Sequence, residues 1–173
     1  MASSKAPRAA SLDDFAVNQI LTLGVRSEYV TDLPPTVQVR IHQLHTRTLS
    51  CTMTVHVLEE NQPLASKNPV FLKLFDRRFS EHLRRDQGID PWTGVMENAY
   101  RESVESGAID TFLHDLHHTP DYQDETEEDW NDAQNEAYLA DMVSGFYKSE
   151  VAVYNALREH QGRLLPRFLQ RWV

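Results

Sequence analysis

Lys73 and Glu150 are the residues whose chemistry stands out most from their surroundings. Lys73 is the only charge in the run Val70-Phe71-Leu72-Lys73-Leu74-Phe75. A charge inside such a strand must face water or find a partner. Glu150 lies beside Val151, Val153 and Tyr154 in a helical stretch. If that helix packs on the strand, the two side chains can pair. On an open sheet with a solvated helix face, each would stand in water instead, and spacing alone leaves both arrangements open. Other chemistry-bearing groups read more plainly. His114, His117 and His118, with Asp115, have a helical spacing that can bind zinc, but no cysteine or third ligand stands nearby, so they read as surface histidines. Asp121 to Asp129 is rich in carboxylates but lacks the Asp-x-Asp-x-Asp-Gly spacing of a calcium loop, and reads as a solvated acidic loop. Cys51, the single cysteine, reads as a small buried apolar residue, and it rules out an internal disulfide. Trp92, Trp130 and Trp172 read as packing residues.

Positioning Lys73 and Glu150 requires a sheet and a long helix. Val37, Val39 and Ile41 alternate with Gln38, Arg40 and His42, the pattern of a half-buried strand. Cys51, Met53, Val55 and Val57 alternate with Thr52, Thr54, His56 and Leu58 in a second strand. With Gln43 to Ser50 between them, the two runs predict an antiparallel hairpin. Pro69 to Phe75 is more continuously apolar, which places it inside the sheet. Before the sheet, residues 1–10 read as a disordered arm. A helix capped by Ser11 and stopped by Gly24 follows, then a linker ending at Leu33-Pro34-Pro35, so that residues 11–34 form a helix and linker. After it, Arg77 to Arg85 is basic and reads as helix or loop, and Met96 to Leu116 is partly helical with a break near Gly107. Trp130 to His160 is a long helix that Gly145 can split and Gly162 can cap. Strands followed by helices predict an α+β fold: a small antiparallel sheet, a packed helix and a largely helical acidic insertion at about 83–146.

The 173 residues suit one domain with an arm or insertion. Seventeen basic and 26 acidic residues give a net charge of −9, which argues against nucleic acid or an anionic membrane surface as partner. Arg77, Arg78, Arg84 and Arg85 are therefore expected to pair with the acidic insertion. No apolar run approaches the length of a membrane span, and no apolar stretch follows the basic amino terminus as in a secretory signal. An intracellular, cytoplasmic or nuclear location is expected.

The strand Val70-Phe71-Leu72-Lys73-Leu74-Phe75-Asp76 resembles the third strand of protein kinases, which carries the nucleotide-contacting lysine. The segment Glu150-Val-Ala-Val-Tyr-Asn-Ala-Leu157, running on to Gln161-Gly162-Arg-Leu-Leu165-Pro166, resembles the kinase αC helix and the entry to the next strand. In particular the chain is similar to divergent kinase-like proteins common in fungi. These share a Phe-Leu-Lys-Leu-Phe-Asp-Arg-Arg strand, an insertion with Asp-Pro-Trp, and a Tyr-Lys-Ser-Glu-Val-x-Val-Tyr-x-x-Leu helix ending in Gln-Gly-x-x-x-Pro. The resemblance covers roughly residues 35 to 173, which it implies are a kinase amino-terminal lobe with an insertion. It further implies that Lys73 contacts the α- and β-phosphates of ATP and that Glu150 holds it in place.

The departures bear on function. The connector from Gln43 to Ser50 lacks the Gly-x-Gly-x-x-Gly that closes over phosphates, and carries His42, Leu44, His45 and Arg47 there instead. No His-Arg-Asp catalytic loop and no Asp-Phe-Gly metal loop occurs in the 173 residues. The expectation is a truncated or partial kinase-like lobe with no catalytic residue of its own, inactive as this chain alone. The alternative is a non-catalytic, pseudokinase-like module that contacts a protein partner through the acidic insertion.

Overall fold

The structure, a computed structural model, describes residues 15–24, 36–45, 48–58, 69–166 and 168. Four strands form one antiparallel sheet in the order β1 (Ile20–Gly24), β2 (Thr36–Leu44), β3 (Cys51–Val57) and β4 (Val70–Leu74). Alternation drives the two central strands. Val37, Val39 and Ile41 of β2 and Cys51, Met53 and Val55 of β3 are all buried, while Thr36, Gln38 and Arg40 face out. The buried set, joined by Leu72 and Phe79, forms the sheet core, with Phe15 and Leu21 packed against it. A bulge between Ile41 and Gln43 shifts the register toward the connector. Two residues of that connector, 46 and 47, lie outside the described residues.

Two expectations about the sheet are corrected. Ile20 to Gly24 is a strand, not the end of a helix starting at Ser11. Asn18 has φ 71°, which no helix tolerates, and its N–H donates to the Ile41 carbonyl at 2.8 Å. Beyond it Leu21 and Leu23 turn inward while Ile20 and Thr22 turn out, and the segment pairs with β2 from Ile20–Arg40 to Gly24–Thr36. Leu21 and Leu23 carry a period of two, and pairing with the edge of β2 favours it over the helical period. The sheet therefore begins at residue 20 rather than 35. The arm at 1–10 and the cap at Ser11 lie outside the described residues. Second, β4 is an edge strand among the described residues, not an interior one. Leu72 is buried in the core, but Phe71 on the opposite face is 61% exposed, with its ring tilted against the His45 ring at 5.4 Å.

The helices follow β4. A 3-10 turn at Arg77–Phe79 leads into α1 (Glu81–Asp86), then α2 (Gly94–Glu105) and α3 (Ala108–His118). Thr93 caps α2, its hydroxyl accepting from the Met96 N–H at 3.3 Å. Gly107, at φ 77°, makes the predicted break between α2 and α3 in a left-handed conformation that glycine adopts without strain. The acidic stretch is more ordered than a loop: it contains α4 (Tyr122–Thr126) and a 3-10 turn at Glu127–Asp129. Trp130 packs there against Phe112 and donates to the Thr126 hydroxyl at 2.9 Å.

The long helix α5 spans Asp132–Ala156 without a break at Gly145. Asn131 and Gln134 form a reciprocal capping box at its start. Ala133 and Ala137 pack on Ile109 and Phe112 of α3, and Leu139 and Val143 pack on Leu83, Phe75 and Ile89. Gly162 does not cap α5, which ends at Leu157. It turns the chain at φ 78° after a 3-10 turn at Arg158–His160. No helix among the described residues is long and apolar enough to cross a membrane.

Ile41 is fully buried and Phe71 is exposed. Ile41→Ala should lower unfolding free energy by about 2–5 kcal/mol, and Phe71→Ala should change it by no more than about 0.5 kcal/mol. Urea unfolding followed by circular dichroism measures both, and equal losses would contradict the edge position of β4.

Candidate functional site

The fold brings Lys73 and Glu150 together. Lys73 stands on β4 and Glu150 on the last third of α5, and the Lys73 ammonium donates to a Glu150 carboxylate oxygen across 77 positions of sequence. Of the two arrangements the sequence left open, the paired one holds. The lysine side chain is 34% exposed and the glutamate 30%, so the pair is open to solvent on one side. The ammonium also lies 4.7 Å from the centre of the Phe75 ring. Tyr147, one turn before Glu150, packs edge to face on Phe75 at 5.7 Å. The strand end and the helix thus meet through this ion pair, the Phe75–Tyr147 contact and the packing of Phe75 on Leu139 and Val143.

Beside this pair lies a cleft of about 670 Å³. One wall is the segment Lys73 to Phe79, and the other is Ala140, Val143, Ser144 and Tyr147 of α5. Glu97 and Arg101 of α2 and Phe15 complete it. Asp76 caps the 3-10 turn by accepting from the Arg78 N–H at 2.9 Å, and its carboxylate also takes the Arg78 guanidinium in a fork. The Tyr147 hydroxyl is buried and has no hydrogen-bond partner among the described residues.

Deeper in the molecule three buried charges, Arg84, Glu97 and Glu136, form a network with the partly buried Arg77. Glu136 is 1% exposed and Arg84 3%. The Arg84 guanidinium donates to both Glu136 oxygens, at 2.6 and 2.8 Å, and to the Asp90 carbonyl at 3.1 Å. Arg77 donates through Nε to Glu136 at 2.9 Å and through Nη2 to Glu97 at 2.6 Å. Glu97 also accepts from the Trp92 indole at 3.3 Å and from Arg101 at 3.2 Å. The Arg77 guanidinium lies 4.0 Å above the Tyr100 ring. Three arginines thus serve two glutamates, and each carboxylate oxygen has a donor, as buried carboxylates require, while among the described residues the buried Arg84 Nε has no acceptor.

The basic cluster was read as a partner for the acidic insertion, and Arg77 and Arg84 do pair with Glu97 and Glu136 of that segment. Arg78 pairs locally with Asp76, and Arg85 is exposed. The two glutamates were not singled out in the sequence because nothing in their spacing separates them from the many solvated acids around them. A signal existed for Glu136. It stands four residues before Ala140 and seven before Val143, on a stripe that otherwise reads as core. The Asp-Pro-Trp segment also has a role in the network, through the Asp90 carbonyl and the Trp92 indole.

The remaining candidates stay apart. His114 and His118 stack at 4.5 Å, and His117 contacts Asp141 at 3.1 Å. Among the described residues no three His, Cys, Asp or Glu side chains group closely enough to hold a metal ion. Cys51 is buried in the sheet core. Compared with known proteins, the chain matches no family model, no curated protein and no solved structure. The architecture itself defines an α+β protein: a four-stranded antiparallel sheet with helices packed beside it.

The burial contrast between the two ion-paired systems predicts different losses. Glu136→Gln leaves Arg84 and Arg77 short of a buried counter-charge and should cost about 3–5 kcal/mol. Glu150→Gln, at a half-exposed pair, should cost no more than about 1 kcal/mol. Tyr147→Phe removes an unpartnered buried hydroxyl and should leave stability unchanged or raise it. Denaturant titration of the three variants checks all of these.

Proposed function

We propose that this chain is a kinase-like amino-terminal lobe in which Lys73, held by Glu150, contacts the phosphates of ATP. The observation that carries the reading is the pair itself. A lysine on the strand that resembles the kinase lysine strand meets a glutamate on the helix that resembles αC, in the order and pairing that the resemblance implies. The exposure of Lys73 supports the reading too, because an ammonium one-third open to solvent can take a phosphate oxygen without leaving its carboxylate. The cleft beside it gives a ligand room at the strand end. The reading is one of phosphate contact and not of phosphoryl transfer. Transfer needs positioned magnesium and a catalytic base, and the 173 residues contain neither the His-Arg-Asp nor the Asp-Phe-Gly loop that supplies them in kinases.

A second reading is a pseudokinase-like module that binds a protein partner through its insertion. It rests on Asp121, Asp124, Glu125, Glu127, Glu128 and Asp129, all exposed on α4 and the turn after it. Such a surface suits a basic partner and disfavours nucleic acid.

Titration of the whole chain with ATP, followed by calorimetry or by displacement of a fluorescent nucleotide, tests the first reading. Saturable binding is expected, weakened at least about tenfold by Lys73→Met, the loss of one charge-assisted phosphate contact. Equal affinity of the wild type and Lys73→Met, or no saturation at millimolar ATP, would set the nucleotide reading aside and leave the insertion surface as the leading one.

A further inference from the structure

One face of α5 carries Glu136, Ala140, Val143, Tyr147 and Glu150, at successive steps of four, three, four and three residues. That is a single helical stripe with a glutamate at each end. The glutamates stand about 21 Å apart along the axis and within about 40° of the same bearing. Both meet cations from one short stretch of chain. Lys73 pairs with Glu150, and Arg77, four residues on, donates to Glu136 at 2.9 Å. Ala140, Val143 and Tyr147 between them line the cleft whose opposite wall is the same stretch, Lys73 to Phe79.

The two ends differ in strength. At the Glu136 end the ions are buried and cross-linked: Arg84 holds both carboxylate oxygens, and Arg77 is held in turn by Glu97 of α2 and by the Tyr100 ring. At the Glu150 end one contact joins two side chains that are each about one-third exposed. An intact helix is stiff over this length, and α5 has no break at Gly145. A slip of one residue at the strong end would turn Glu150 by about 100° and carry it off Lys73.

We infer that Arg77 is a positioning residue for the Lys73–Glu150 pair, and that α2 braces the pair from a distance by fixing the Arg77 guanidinium through Glu97. The functional meaning of this device rests on the reading of the pair as a phosphate-contacting site. The coupling itself does not, because it concerns only where α5 sits. On this account the helical insertion is part of the machinery that sets the lysine, since its Glu97 and the Glu136 at the head of α5 complete the anchor.

The test reads the lysine directly and uses no nucleotide. The full chain is acetylated with limiting acetic anhydride, and modification of Lys73 is followed by peptide mass spectrometry, with exposed Lys148 as internal reference. Glu150→Gln sets the rate of a released lysine, expected at about two- to fivefold above wild type for a half-exposed pair. Arg77→Met should reach the same level while helix content is retained, and Arg77→Lys, which keeps the charge but not the fork, should fall between. The double variant Arg77→Met with Glu150→Gln should react no faster than Glu150→Gln alone, since both act through one pair. A wild-type rate in folded Arg77→Met, or a further rise in the double variant, would overturn the inference. Should Arg77→Met not fold, Glu97→Gln decides. It keeps the Arg77–Glu136 contact while removing the Glu97 charge that braces Arg77 and also meets Trp92 and Arg101, and it should raise the Lys73 rate about twofold. No change there would overturn the role of α2. Because ATP is absent from the assay, failure of the nucleotide reading leaves this result untouched.

Discussion

Arg77, Arg84, Glu97 and Glu136 come from four different elements: the turn after β4, α1, α2 and α5. Their mutual neutralisation is the condition on which the helical half of the molecule depends. A buried carboxylate without a counter-charge is too costly to tolerate, so Glu136 can be 1% exposed only where both arginines reach it. That requirement holds α1, α2 and the turn after β4 against α5. Apolar packing by Leu83, Leu139 and Val143 fills the space but does not by itself choose the register, because such contacts are non-directional. The forked arginine contacts are directional and do.

The network also explains how a helix can serve the sheet while packing largely on other helices. α5 reaches the strands through the end of β4, at Lys73 and Phe75. Its remaining apolar contacts run to α2, to α3 and to the α1 region. A rod held at one end by buried charges and touching the sheet near the other leaves a wedge of space between, and the cleft lined by Ala140, Val143 and Tyr147 is that wedge. Ala140 contributes to it by being small. The cleft is walled by charged and aromatic side chains from both halves, so its shape depends on the same ion pairs that hold the halves together.

The two ionic systems are of different kinds. The inner one is buried and multiply bonded, and its loss is felt by the whole fold. The outer pair is half in water, where an ion pair adds little to stability. Stability alone is therefore a weak reason for a lysine in the otherwise apolar run from Val70 to Phe75.

Much of this was legible in the residues themselves. The alternation at Val37 to Ile41 and Cys51 to Val57 determined the two central strands, because a period of two can bury only one face of a sheet. Gly107 determined the break between α2 and α3, and the lone charge of Lys73 in an apolar strand marked it as needing a partner. Other features were decided only by the tertiary structure. The segment from Ile20 to Gly24 fits either a helix or a strand, and the free edge of β2 chose the strand. Glu97 and Glu136 look like any other acids of an acidic segment, and only the approach of Arg77 and Arg84 set them apart. Lys73 met Glu150 rather than water for the same reason. Local pattern decides which face of an element is apolar, but the identity of a charge's partner across 77 residues is a property of the packed chain alone.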